Sequence, residues 1–156
     1  MRPASLLTLA GVTITAAACG GHSASRSATA PAPAGFAAAP IDSSMMLSSP
    51  TGLQFRDLVV GHGAMVSAGN HVSVHYIGQL LNGQQFDANL PGSEPLVFQI
   101  GAHRVIPGWE EGVNGMRVGG RRQLIIPPAL GYGSHGTGPI PPNATLVFTI
   151  EVLSAY

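Results

Sequence analysis

From Gly52 to the end of the chain, apolar side chains recur mostly at every second position rather than every third or fourth, the period of strands. Val72, Val74 and Tyr76 alternate with His71, Ser73 and His75, and Leu96, Phe98 and Ile100 with Val97 and Gln99. Leu146, Phe148, Ile150 and Val152 alternate with Thr145, Val147, Thr149 and Glu151, and Gln123 to Ile126 is a short apolar run. Successive side chains of a strand point to opposite faces, so each segment offers one apolar face to a core. Asn82-Gly83 falls between two such runs. That dipeptide suits the left-handed backbone of a tight hairpin turn. Gly61, Gly63, Gly119 and Gly120 punctuate the remaining segments.

One stretch departs from this period. Pro107-Gly108-Trp109-Glu110-Glu111-Gly112-Val113 opens with a proline, whose missing N–H costs nothing in a first helical turn. Glu110 and Glu111 follow near the positive end of the helix dipole. Trp109, Val113 and Met116 stand at i, i+4 and i+7, which predicts one helical face. The expected fold class is therefore α+β, a twisted antiparallel sheet with one short helix on its apolar side. Trp109, the largest side chain available, plugs the gap between them, and its burial contributes a few kcal/mol.

The amino end reads differently. Arg2 precedes an apolar stretch from Leu6 to Ala18, about 13 residues where a bilayer span needs about 20. Residues 1–18 fit an export signal. Cys19, the only cysteine, follows Ala16-Ala17-Ala18, which resembles the lipobox of bacterial lipoproteins, although that pattern usually carries Leu or a similar residue at the place of Ala16. A lipidated Cys19 would hold the chain to a membrane, and multiple acyl chains would make that hold stable. Residues 19–51 are rich in Ala, Ser, Pro and Gly without apolar periodicity, so a disordered tether is expected there, with a domain over 52–156. These features predict an exported protein, in a periplasm or on a cell surface, with Cys19 as the expected membrane anchor.

Composition excludes several chemistries. Only 9% of residues are charged, the seven basic residues are all Arg, and seven acidic residues balance them. No basic stripe exists for phosphate neutralisation, so nucleic acid is not an expected partner. A single Cys leaves neither an intrachain disulfide nor a cysteine zinc cluster. His71 and His75 share a strand face but stand about 13 Å apart, too far to chelate one ion. No metal is expected. Without Lys there is no phosphate-binding loop of the usual kind, and no Gly-x-Ser-x-Gly elbow is present. Any enzyme built here works without a nucleophile.

Five segments then occur in a fixed order. They are Val74-His75-Tyr76-Ile77-Gly78, Gly83-Gln84-Gln85-Phe86-Asp87, Val105-Ile106-Pro107-Gly108-Trp109-Glu110-Glu111-Gly112, Leu130-Gly131-Tyr132-Gly133 and Ile140-Pro141-Pro142-Asn143-Ala144-Thr145-Leu146-Val147-Phe148. Together they resemble the FKBP-type peptidyl-prolyl cis-trans isomerases over roughly Gly52 to Leu153. The resemblance implies an apolar pocket between sheet and helix, with Trp109 as floor and Tyr76, Phe86 and Phe148 as walls. It carries catalytic positions onto Asp87, Tyr132, Phe86 and Trp109, and substrate-binding positions onto Tyr76, Leu96, Val105, Ile106, Ile140 and Phe148. It further implies that the Ile106 N–H and the Tyr132 hydroxyl donate to carbonyls flanking a bound proline.

Three departures from the family pattern bear on specificity. Leu96 stands where Phe is frequent, which loosens the wall near the residue preceding proline. Gly92 stands where some members carry an Arg that pairs with the pocket Asp, so Asp87 turns to Tyr76 or stays partly solvated. The loop Ser134 to Pro139 is slightly shorter than in the best-known members. The resemblance implies proline-containing polypeptides as substrates, macrolides such as tacrolimus or rapamycin as inhibitors, and no cofactor. The export signal makes exported proteins the expected substrates, and the tether lacks the long amphipathic helix of a dimerising arm, so a monomer is expected. A non-catalytic module that holds prolyl segments, or a chaperone, is the alternative use of the same pocket.

Overall fold

The computed structural model describes residues 36–156. The expected signal sequence, Cys19 and the first part of the expected tether lie outside the described residues. Seven strands follow in order: β1 Leu47–Ser48, β2 Gln54–Val59, β3 His71–Leu80, β4 Gln85–Asn89, β5 Leu96–Gln99, β6 Arg121–Ile126 and β7 Leu146–Ala155. One helix, α1 Pro107–Val113, lies between β5 and β6. All pairings are antiparallel, in the order β1-β2-β6-β7-β3-β4, and β5 also pairs with β3. On one edge β3 meets β7, while β5 takes Val72 and Val74 on the other and β4 takes Tyr76 and Gly78 beyond it. The α+β expectation holds.

Register explains the core. Val74 faces Val152, Tyr76 faces Ile150, Gly78 faces Phe148 and Leu80 faces Leu146. Leu124 and Ile126 of β6 meet Phe148 and Leu146 from the other side. These residues form one apolar face, and α1 lies across it with Trp109 and Val113 buried. The helix approaches β6 closely because its contact positions carry no side chain. A Cβ at Gly108 would stand 2.5 Å from Ile126 Cγ2, and one at Gly112 2.5 Å from Leu124 Cδ1. The helix stops at Val113, so Met116 is not on its face. Met116 is buried nonetheless, in the turn that follows, where its backbone bonds to Val66.

Arg122 fastens helix to sheet from the inner face. It donates through Nε to Asp57 Oδ1 at 2.6 Å and through one terminal nitrogen to the Gly112 carbonyl at 2.9 Å, with its guanidinium 4.8 Å from the Phe55 ring centre. A cation at the carbonyl end of a helix complements the dipole.

The opposite face of the sheet corrects the expectation of a disordered tether. Residues 36–40 are laid on it. Phe36 is buried, its ring 6.4 Å from that of His75 and 4.9 Å from the Arg121 guanidinium. The Ala39 N–H donates to Thr149 Oγ1 at 3.3 Å, Gln123 Nε2 donates to the Ala39 carbonyl at 2.8 Å, and Arg56 donates to the Pro40 carbonyl at 2.6 Å. Leu47 and Ser48 then add β1 beside Phe55 and Gln54, although Met45 and Leu47 keep their side chains exposed. The cause is the polar face of the alternation. Gln123, Thr149 and His75 on buried sheet need partners, and the strap supplies both hydrogen bonds and one aromatic cover.

Candidate functional site

A cavity of about 330 Å³ opens between β3, β4, α1 and the loops that join them. That volume is within the range of small-ligand sites. Its floor is Trp109, 4% exposed, set there by the first turn of α1. Around it the aromatic rings meet edge to face. Tyr76 stands at 5.0 Å and 78° to the indole, Phe148 at 5.1 Å and 90°, and Phe86 meets Phe148 at 5.5 Å and 87°. These separations and angles are those that ring quadrupoles favour. Gly78 makes the cluster possible, since a Cβ there would lie 2.7 Å from Phe148 and 2.8 Å from Phe86.

Phe86 and Asp87 are neighbours in sequence, yet both line the cavity. Adjacent strand residues ordinarily point to opposite faces. The β3–β4 ladder resolves the conflict, because it pairs Gly78 with Asp87 and then Gln79 with Gln85, leaving Phe86 as the extra residue of a bulge. Bulges re-aim side chains in this way. Asp87 thereby reaches Tyr76, whose hydroxyl donates to Asp87 Oδ2 at 2.7 Å. The Tyr76 phenol is pushed well above its usual range, first by burial and then by its bond to the Asp87 carboxylate. It stays protonated and remains a donor.

The rim carries two further donors. The Ile106 N–H and the Tyr132 hydroxyl have no hydrogen-bond partner among the described residues. Ile106 caps α1 in extended conformation, and its carbonyl accepts from the Trp109 N–H at 2.9 Å. Tyr132 is 40% exposed and sits on a turn after Pro128–Leu130, where the Gly133 N–H returns to the Pro128 carbonyl at 2.9 Å. Leu96 and Val105 complete the apolar wall.

Of the residues expected from sequence, the structure brings together Tyr76, Phe86, Asp87, Leu96, Val105, Ile106, Trp109, Tyr132 and Phe148. Ile140 is the exception. It is buried in the core and borders an adjoining cavity of about 220 Å³, which shares Phe86, Asp87 and Tyr132 and continues to Thr137, Gly138 and Pro139. The turn joining Thr137 to Ile140 draws it away from the main cavity. Two lining residues were missed, His103 and Arg104. They immediately precede Val105-Ile106, and their polarity sets them apart from the apolar walls. His71 and His75 serve separate ends. The His71 ring stacks on Tyr156 at 5.8 Å, and His75 Nδ1 is 2.8 Å from Asn89 Oδ1.

Comparison with known proteins gives the same reading from an independent direction. The family model described as FKBP-type peptidyl-prolyl cis-trans isomerase matches residues 63–153. An FK506-binding protein of Neisseria meningitidis serogroup B is 47% identical over 106 residues, which cover 67% of this chain and 97% of that one. FK506-binding protein 4 of Dictyostelium discoideum is 50% identical over 112 residues, 71% of this chain but only 30% of that longer protein. The crystal structure of AtFKBP13 superposes with a TM-score of 0.67 at 40% identity, covering 71% of this chain and 98% of that one. A family match across more than half of the sequence, and a near full-length relative of this similarity, establish that the chain belongs to the FKBP-type peptidyl-prolyl cis-trans isomerases.

Proposed function

We propose that the cleft over Trp109 accelerates rotation about X-Pro amide bonds in exported polypeptides, with Asp87, Tyr132, Phe86 and Trp109 as the catalytic side chains. The observation that carries this reading is the aromatic cleft itself, in which Tyr76 bonds Asp87 while the Ile106 N–H and Tyr132 hydroxyl have no partner among the described residues. The barrier to rotation, about 18–20 kcal/mol, comes from amide resonance. At the half-turned state that resonance is lost, the carbonyl carries less charge, and the proline nitrogen becomes pyramidal. A cleft walled by Tyr76, Phe86, Leu96 and Phe148 solvates the planar, dipolar amide poorly and the twisted form less poorly. Donors from Ile106 and Tyr132 to the flanking carbonyls hold the chain in a turn with the same twist. Binding of this kind favours the transition state over the ground state and makes no covalent bond. Each tenfold in rate needs about 1.4 kcal/mol.

The relatives named for FK506 support the same cleft as a site for macrolides of that type, in competition with prolyl peptides. Residues 20–51 hold no long amphipathic helix of the kind a dimerising arm needs, which supports action as a monomer, and the mass in solution tests it. Export and anchoring through Cys19 rest on the sequence of residues 1–19, and the mass of the mature amino terminus tests them. Relaxation of a cis-prolyl peptide with the full chain, its Asp87→Ala variant and its Tyr132→Phe variant tests the catalytic reading. Normal rates in both variants would remove it.

A further inference from the structure

Resting on the isomerase reading, we propose that the cleft selects prolyl segments with an acidic residue beside the proline, and that Arg104 is the specificity-determining side chain. Arg104 lines the main cavity with Leu96 and His103, is exposed, and forms no ion pair or side-chain hydrogen bond among the described residues. Every other described arginine is engaged. Arg56 meets Asp42, Arg121 meets Glu151, Arg122 meets Asp57, and Arg117 donates to the Gly63 carbonyl.

The loop that carries Arg104 is fastened. Glu110 of α1 accepts hydrogen bonds from the Gly101 N–H and from the His103 N–H, the latter at 2.9 Å, and His103 holds a left-handed φ of 54°. The guanidinium thus hangs from an anchored wall. The carboxylate that lines the same cavity is Asp87. It borders the adjoining cavity as well, where Arg104 does not reach, and its carboxylate is engaged by Tyr76. An anionic side chain on the Arg104 side finds a permanently charged cation with no carboxylate already on it, while a cationic one meets repulsion there. Closure of the cleft by the peptide removes water and strengthens both effects.

The test is cis–trans exchange measured by NMR on the full chain, without a coupling protease. Two peptide sets carry Glu, Gln or Lys immediately before or immediately after the proline. At about 0.02 M salt, kcat/KM for Glu should exceed that for Lys about two- to fivefold in at least one set, and the ratio should shrink at about 0.5 M salt. Arg104→Gln should bring the ratio to near unity and Arg104→Glu should invert it. Each rate is referred to the Gln peptide of the same variant, so a loss of folding lowers all three together. Equal rates for Glu and Lys in both sets, with the Gln peptides turned over, overturn the selectivity alone. A preference that survives in Arg104→Gln overturns the role of Arg104. Failure to turn over any peptide overturns the isomerase reading beneath it.

Discussion

The Tyr76 hydroxyl donates to Asp87 Oδ2 at 2.7 Å, diagonally across the β3–β4 ladder, so the carboxylate that lines an aromatic cleft is held by a phenol of its wall. A carboxylate among apolar groups is costly unless hydrogen-bonded. Gly92 has no side chain to offer Asp87, and Tyr76 supplies the hydrogen bond.

Asp87→Ala should therefore lower kcat/KM. A hydrogen bond to a charged group contributes about 1.5–3 kcal/mol, which corresponds to about tenfold or more in rate. Tyr132→Phe removes a neutral donor and should cost less, about three- to tenfold. Peptide relaxation rates across a range of substrate concentrations check both, and a larger loss in Tyr132→Phe than in Asp87→Ala would reverse the assigned weights.

Alkaline pH offers a second check. The folded state raises the Tyr76 pKa above its ordinary value of 10.0 through burial and the Asp87 bond. Above that ordinary value the unfolded chain gives up the phenolic proton while the folded chain keeps it, so stability falls as pH rises. The contribution is fully present below pH 10 and is lost through the raised folded value. Urea unfolding at rising pH should show this decline in the native sequence and a shallower one in Tyr76→Phe.

Phe36 belongs to the fold and not to the cleft. It is buried on the outer face, against His75 and Arg121, while the cleft lies on the inner face. Phe36→Ala should cost about 3 kcal/mol of stability and leave kcat/KM unchanged at temperatures well below unfolding. Denaturant midpoints and peptide rates on the same preparation separate the two.

Glu110 should matter to binding through the loop it holds. Its carboxylate accepts from the Gly101 and His103 N–H groups and so sets the wall that continues into Val105 and Ile106. Glu110→Ala should raise KM more than it lowers kcat. Glu110→Gln, which keeps one acceptor oxygen, should fall between the two.

Much of this was legible in the residues. Period two gave the strands and their inner face, and Pro107 with Trp109 and Val113 gave the helix and its floor. Three features escaped, each for a tertiary reason. The bulge that turns both Phe86 and Asp87 inward depends on the β3–β4 register, which one strand cannot encode by itself. Phe36 lies alone in a stretch of Ala, Ser and Pro, and only the buried Gln123 and Thr149 beneath it explain why that stretch is laid down. Arg104 looks like ordinary surface until the loop fastened by Glu110 brings it to the cavity.

Exchange between the cis and trans forms of a Leu-Pro peptide, followed by NMR as the full chain is titrated in, bears most directly on the cleft. Uncatalysed exchange takes tens to hundreds of seconds. The rate should rise in proportion to protein concentration and fall back on addition of an FK506-type macrolide. An exchange rate that does not change at any protein concentration, from protein whose Trp109 fluorescence reports a folded core, would contradict catalysis by this cleft.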